Sequence, residues 1–297
     1  MGLGFLGIDF NFIDWFSFND VPSLVDETTS LGQFAGQYAA VQTNWVYTIG
    51  AVLCMFILLA KRNKKWYWYG FFAIVAVMSF TSVGMHTANY GELTPGVLTT
   101  KLLGSYIDMS FTELMAWSAV SCFVMEFYRD NLKKRNVLLI IEGVLCFIVL
   151  AVLTYEVFVV HNRPLWIGGR DENGLPYDMG GDHGGLSLAE FGCFLTALPI
   201  LYVFANGFKK MEKVERSLFI MTILAFLIGF IVTSLYGDNE INSFLLGNIH
   251  THSLWHILTA LGTILICFWV DQRTMNDELR AKGLLETKTK EKKVKVS

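Results

Sequence analysis

Three histidines, one aspartate and one serine carry the chemistry this chain could perform. His252 and His256 are four residues apart, as are Ser82 and His86. On a helix, residues at i and i+4 share a face, with Cβ atoms about 5–6 Å apart. Two imidazoles so placed can hold one metal ion, with a third ligand from another helix, and His86 is the candidate donor. Three histidines with an open fourth position make a catalytic zinc site, whereas structural sites are closed. Asp108 is then placed to accept a proton from a metal-activated water. Ser82 is placed to donate a hydrogen bond to that water or to an oxyanion. The competing reading is that all five are packing residues satisfied by hydrogen bonds between helices.

The elements that must position these groups are membrane helices. Of 297 residues, 53% are hydrophobic and only 16% charged, and the mean hydropathy is +0.45. Soluble domains carry about a quarter charged residues. The deficit excludes a disordered chain, a nucleic-acid binder and an ordinary cytosolic globule. The net charge of −3 selects no partner by itself. A membrane helix needs about 20 predominantly apolar residues. Seven windows qualify, at 44–59, 66–89, 99–127, 137–160, 186–208, 217–236 and 248–270, the first starting near Gln37. The expected fold is an all-α, seven-transmembrane bundle over 37–272, an integral multi-pass membrane protein. An interfacial segment (1–36) precedes the bundle and a basic tail (273–297) follows it.

Charge placement predicts the orientation. Lys61, Arg62, Lys64 and Lys65 follow the first span, Arg129, Lys133, Lys134 and Arg135 the third, and Lys209, Lys210, Lys213 and Arg216 the fifth. The other side has Lys101, Arg163 and Arg170. The positive-inside rule puts the N-terminus outside and the C-terminus in the cytoplasm. With no Lys or Arg before its first apolar stretch, the N-terminal segment does not read as a cleavable signal peptide. In this frame His86 and Ser82 lie near the outer end of span two. Asp108 lies about 13 Å into span three at 1.5 Å per residue, and His252 and His256 occupy the first two turns of span seven. All five groups fall in the outer half of the membrane on three helices, and ionisable groups at such depth default to function.

The remaining polar residues read more plainly. His250 points to a different face from His252. Glu113 is off-axis from Asp108, in a supporting or interfacial role. Glu142 and Glu156 are expected to reach the interface from span ends. His183 beside Asp182 is a solvated residue of a Gly-rich outer loop, and Gly168-Gly169 and Gly180-Gly181 mark loops, not phosphate sites. Cys54, Cys122, Cys146, Cys193 and Cys267 all lie in apolar runs and read as buried thiols without a disulfide framework. The basic tail reads as a solvated helix leading into a disordered end.

The stretch His252-Ser-Leu-Trp-His256-Ile-Leu-Thr-Ala-Leu-Gly262 resembles the last-helix motif of the alkaline ceramidases. Ser82-Val-Gly-Met-His86 resembles their second-helix element, and Asp108-Met-Ser-Phe-Thr112 the start of their third-helix motif. The resemblance implies a seven-helix intramembrane amidase that cleaves ceramide-like lipids to a sphingoid base and a fatty acid, with no nucleic-acid or protein partner. It implies zinc on His86, His252 and His256, Asp108 activating water and Ser82 stabilising the transition state. Asp14-Trp15-Phe-Ser17-Phe-Asn19 resembles the family's calcium stretch, with Ser17 where the family has Glu. Asp14, Trp15, Asn19 and Glu27 are then the implied calcium ligands, and an interfacial anchor is the alternative. Two departures stand out: His86 and Asp108 are 22 residues apart, about twice the family's spacing, and the outer loop 161–185 is long.

Two rivals remain at this level. One is a zinc-containing receptor of the adiponectin and progestin receptor group, whose orientation is opposite. The other is a hydrolase of a phospholipid or GPI ester. A retinal protein is excluded because span seven carries no lysine for a Schiff base.

Overall fold

The computed structural model describes residues 31–87, 95–158, 196, 199–236, 244–245 and 249–285. Its helices are α1 (Leu31–Ala60), α2 (Trp66–Thr87), α3 (Pro95–Phe127), α4 (Leu132–Phe158), α5 (Pro199–Gly207), α6 (Lys213–Tyr236) and α7 (Thr251–Ala281). A single 3₁₀ turn, Phe208–Lys210, follows α5. The only strands among the described residues are two-residue stretches, β1 (Phe244–Leu245) and β2 (Ile249–His250). They run antiparallel, with Phe244 opposite His250, and lead directly into α7. The fold is all-α, as the apolar runs require.

Among the described residues, four helices are long and apolar enough to cross a membrane: Val41–Ala60 within α1, Trp66–Val83 within α2, Leu132–Tyr155 within α4 and Ser253–Ala281 within α7. Their outward faces are hydrophobic. Ile49, Phe56 and Leu59 on α1, Ile140, Phe147 and Ile148 on α4, and Ile257 and Phe268 on α7 are all exposed. Side chains such as Glu113, Glu142 and Glu215 are instead fully buried. Apolar surface outside and charge inside inverts the soluble pattern and suits a chain dissolved in lipid. α3 is longer, at 33 residues, but Lys101, Asp108, Glu113 and Glu126 lower its mean hydropathy.

An aromatic core fastens the helices together. Trp68 of α2 meets Trp269 of α7 at 5.9 Å between ring centroids and Phe123 of α3 at 5.3 Å, both edge to face. Phe204 of α5 meets Phe219 of α6 at 4.3 Å. Edge-to-face pairs add to the gain from simple burial. Two glycines permit close approach. A Cβ on Gly207 would lie 2.6 Å from the Phe127 ring, and one on Gly262 would lie 2.7 Å from Phe226.

Two expectations are corrected here. The basic segment after position 272 begins as part of the bundle, because α7 continues to Ala281. Arg273 and Asn276 are buried at 6% and 5% exposure. Arg273 Nη1 donates to Glu215 Oε2 at 3.1 Å and Asn276 Nδ2 to Glu215 Oε1 at 2.7 Å. Lys65 bridges Glu126 (2.9 Å) and Asp277 (3.1 Å), while Tyr67 and Trp68 also donate to Glu126. This network ties the α1–α2 turn to α3, α6 and α7. Sequence spacing alone does not reveal it, because its carboxylates sit on helices distant in the chain.

The second correction concerns Glu142. It does not reach an interface; it is fully buried. α4 starts at Leu132, five residues before the predicted span, so Glu142 lies three turns inside the helix. Four of the five cysteines, Cys54, Cys122, Cys146 and Cys267, are buried free thiols, as expected. Cys193 lies outside the described residues.

Candidate functional site

Ser82 and Asp108 are brought into direct contact. Ser82 Oγ donates to Asp108 Oδ1 across the α2–α3 interface, with both residues buried. The partners lie 26 residues apart in sequence and meet because α2 and α3 are packed neighbours. α3 holds Asp108 in its own register, and Thr112 Oγ1 bonds back to the Asp108 carbonyl at 3.0 Å. A carboxylate that accepts a buried hydroxyl is held in one orientation, as a base that must meet its proton donor requires.

His256 is the third described member, buried at 6% exposure on α7. Its Nδ1 is 3.0 Å from the Thr43 Oγ1 of α1. Thr259 Oγ1 donates to the His256 carbonyl at 3.0 Å, steadying the same turn. Thr43 is a site residue that sequence reasoning missed. It falls in the polar start of the first span, between Gln37 and the apolar window at 44, and a lone threonine there carries no motif. Below this layer, Thr48 and Ser79 share a 2.8 Å hydrogen bond, and Thr263 Oγ1 donates to the Tyr47 hydroxyl at 3.2 Å. These bonds join α1 to α2 and to α7, with Thr263 about two turns along α7 from His256.

His86 lies on the last turn of α2 and His252 on the first of α7, and their side chains are outside the described residues. Asp14, Trp15, Asn19 and Glu27 lie outside them altogether, as does the loop 161–185. Among the described residues no three His, Cys, Asp or Glu side chains gather closely enough to hold a metal. Glu113 stands apart from Asp108, accepting a hydrogen bond from Thr196 at 2.5 Å.

The donor set that is described fits a zinc ligand. A metal-binding histidine ordinarily has one ring nitrogen fixed by a hydrogen bond while the other ligates. Nδ1 of His256 has such a bond, which points to Nε2 as the ligating atom. Ser82 and Asp108 thus form a buried hydroxyl–carboxylate pair that can support proton transfer, and His256 is held on α7 by its contact with Thr43. No protein-family model, no curated protein and no solved structure matches this chain.

Proposed function

We propose that this protein is a zinc-dependent intramembrane amidase that hydrolyses ceramide-like N-acyl sphingoid lipids to a sphingoid base and a fatty acid. The observation that carries the reading is the buried Ser82–Asp108 hydrogen bond, formed between the two residues that the motif resemblance gives catalytic roles. His86, His252 and His256 would hold the zinc, which when bound would supply Lewis-acid polarisation and make a water acidic enough to ionise near neutral pH. Asp108 takes a proton from the attacking water and returns it to the nitrogen of the leaving amine. Ser82 orients the Asp108 carboxylate in the resting site, and once Asp108 has taken the proton the single Ser82 O–H turns to the oxygen that gains charge at the acyl carbon. One water is consumed, the C–N bond breaks, and an acid and an amine leave. The apolar bundle accommodates the acyl chain beside them.

The finer architecture belongs to the same proposal: seven spans, N-terminus outside, C-terminus cytoplasmic. The basic turns after α1 and α3 support it. So does the inner ion network, since both lie at the same end of the helices. Calcium on Asp14, Trp15, Asn19 and Glu27 is a further element of the proposal, resting on the motif alone.

The test is product analysis with purified protein on fluorescent ceramide and on phospholipid and GPI esters, with and without chelator. Ceramide turnover that a zinc chelator abolishes and added zinc restores is the expected result. Turnover of esters alone would replace ceramide as the substrate class. No turnover, together with a cytoplasmic N-terminus in a glycosylation-site map, would point to the receptor reading. A calcium-selective chelator separates the second ion from the first.

A further inference from the structure

A second group of buried polar side chains lies deeper between α3 and α4. Glu113 on α3 is 1% exposed and Glu142 on α4 is 0% exposed. Glu113 is five residues past Asp108 and thirteen before Glu126, so it lies roughly 7.5 Å and 20 Å from them along the axis at 1.5 Å per residue. That keeps it clear of both the Ser82–Asp108 pair and the Glu126 ion network, and Glu142 lies inside the candidate membrane span Leu132–Tyr155 of α4.

Neither oxygen of Glu142 meets a hydrogen-bond donor, and Glu142 forms no ion pair among the described residues. The charged group acting on it is Glu113. Cys146, one turn along α4, faces both carboxyls. Thr196, itself fully buried, donates to Glu113 Oε1. The same stretch of α3 carries Ser110 Oγ and Trp117 Nε1, both buried without a hydrogen-bond partner. They flank Glu113 at helical spacing, so the polar seam runs about two turns along the helix.

Two buried carboxylates on packed neighbouring helices resist being ionised together, because burial and like charge each disfavour the second negative charge. A hydrogen bond donated to a carboxylate favours its charged form. Thr196 therefore assigns the negative charge to Glu113 and leaves the neutral acid to Glu142. A metal ion would need more donors than this pair provides, and among the described residues no third metal ligand gathers with them.

We propose that Glu142 and Glu113 form an intramembrane proton-binding site, with one proton resident on Glu142 and the negative charge left on Glu113. Loading the site adds one O–H bond at a Glu142 oxygen at the expense of one hydronium, which becomes water. The pair changes from two negative charges to one. This site is independent of the amidase reading and does not use Ser82, Asp108 or His256.

Infrared spectroscopy of the full-length protein in lipid vesicles tests it. At neutral pH the wild type is expected to show the carbonyl band of an un-ionised, buried carboxylic acid, shifting in D₂O. Glu142→Gln should remove one carboxyl's intensity from that band, and Glu113→Gln should leave it in place. Carboxyl-¹³C labelling of all glutamates should move the band in the wild type, a readout that needs no variant to fold. An absent band, one unmoved by glutamate labelling, or one of undiminished intensity in Glu142→Gln would overturn the assignment.

Discussion

Thr43 and His256 are separated by 213 positions in the chain and joined by a 3.0 Å hydrogen bond. The bond spans α1 and α7, the first and last helices described, and orients the imidazole of the last-helix motif. On the proposed zinc reading, a change on α1 should therefore be felt as a change in metal affinity on α7.

Thr43→Val keeps the shape and deletes the hydroxyl. Zinc affinity is expected to fall by about 10–100-fold, the usual effect of losing the group that holds a ligating histidine. Competition with a chromophoric chelator reads this directly. Unchanged affinity would mean that Thr43 only packs against the ring.

Asp108→Asn retains the volume and removes the base. Turnover is expected to drop by about 10²–10⁴ while bound zinc stays near one per chain by elemental analysis. Ser82→Ala is expected to cost about 10²–10³ in kcat. Loss of metal together with activity in Asp108→Asn would show that Asp108 is a ligand.

His86→Ala or His256→Ala should abolish zinc occupancy and turnover together. A variant of either histidine that kept stoichiometric zinc and full rate would remove it from the site.

At the end of the bundle that carries the ion network, Arg273→Ala leaves the fully buried Glu215 without its guanidinium partner. Removing one member of a buried pair costs about 3–5 kcal/mol. Thermal unfolding in detergent should show a large drop in Tm, with zinc content unaffected before the transition. The double variant Arg273→Met with Glu215→Leu should recover most of it.

Gly207→Ala tests the packing of α5 on α3. A new Cβ would stand 2.6 Å from the Phe127 ring, itself wedged against Trp269. Overpacking of this kind costs about 1–3 kcal/mol. A wild-type Tm would show that the ring yields freely.

The sequence made the helices readable because membrane spans are long apolar runs, and the i,i+4 pairs placed Ser82 and His256 on definite faces. Helix ends were less legible. The charged starts and ends of α4 and α7 look like loops by composition, yet Glu142 and Arg273 are buried once the helices extend past their apolar windows. The pairing of Ser82 with Asp108 could be anticipated from the motifs. Thr43, Thr196 and Glu215 could not, since each owes its role to a partner 58 or more residues away.

α3 also works as a ruler. Asp108 and Glu126 are eighteen residues apart on one continuous helix, which is about 27 Å at 1.5 Å per residue. The hydrocarbon layer of a bilayer is about 30 Å thick. On the proposed seven-span reading, Glu126 anchored among its cations marks one face, and Asp108 falls just short of the opposite boundary, where acyl chains give way to headgroups. A lipid whose amide linkage lies at that boundary would then present it to Asp108 while remaining in its own leaflet.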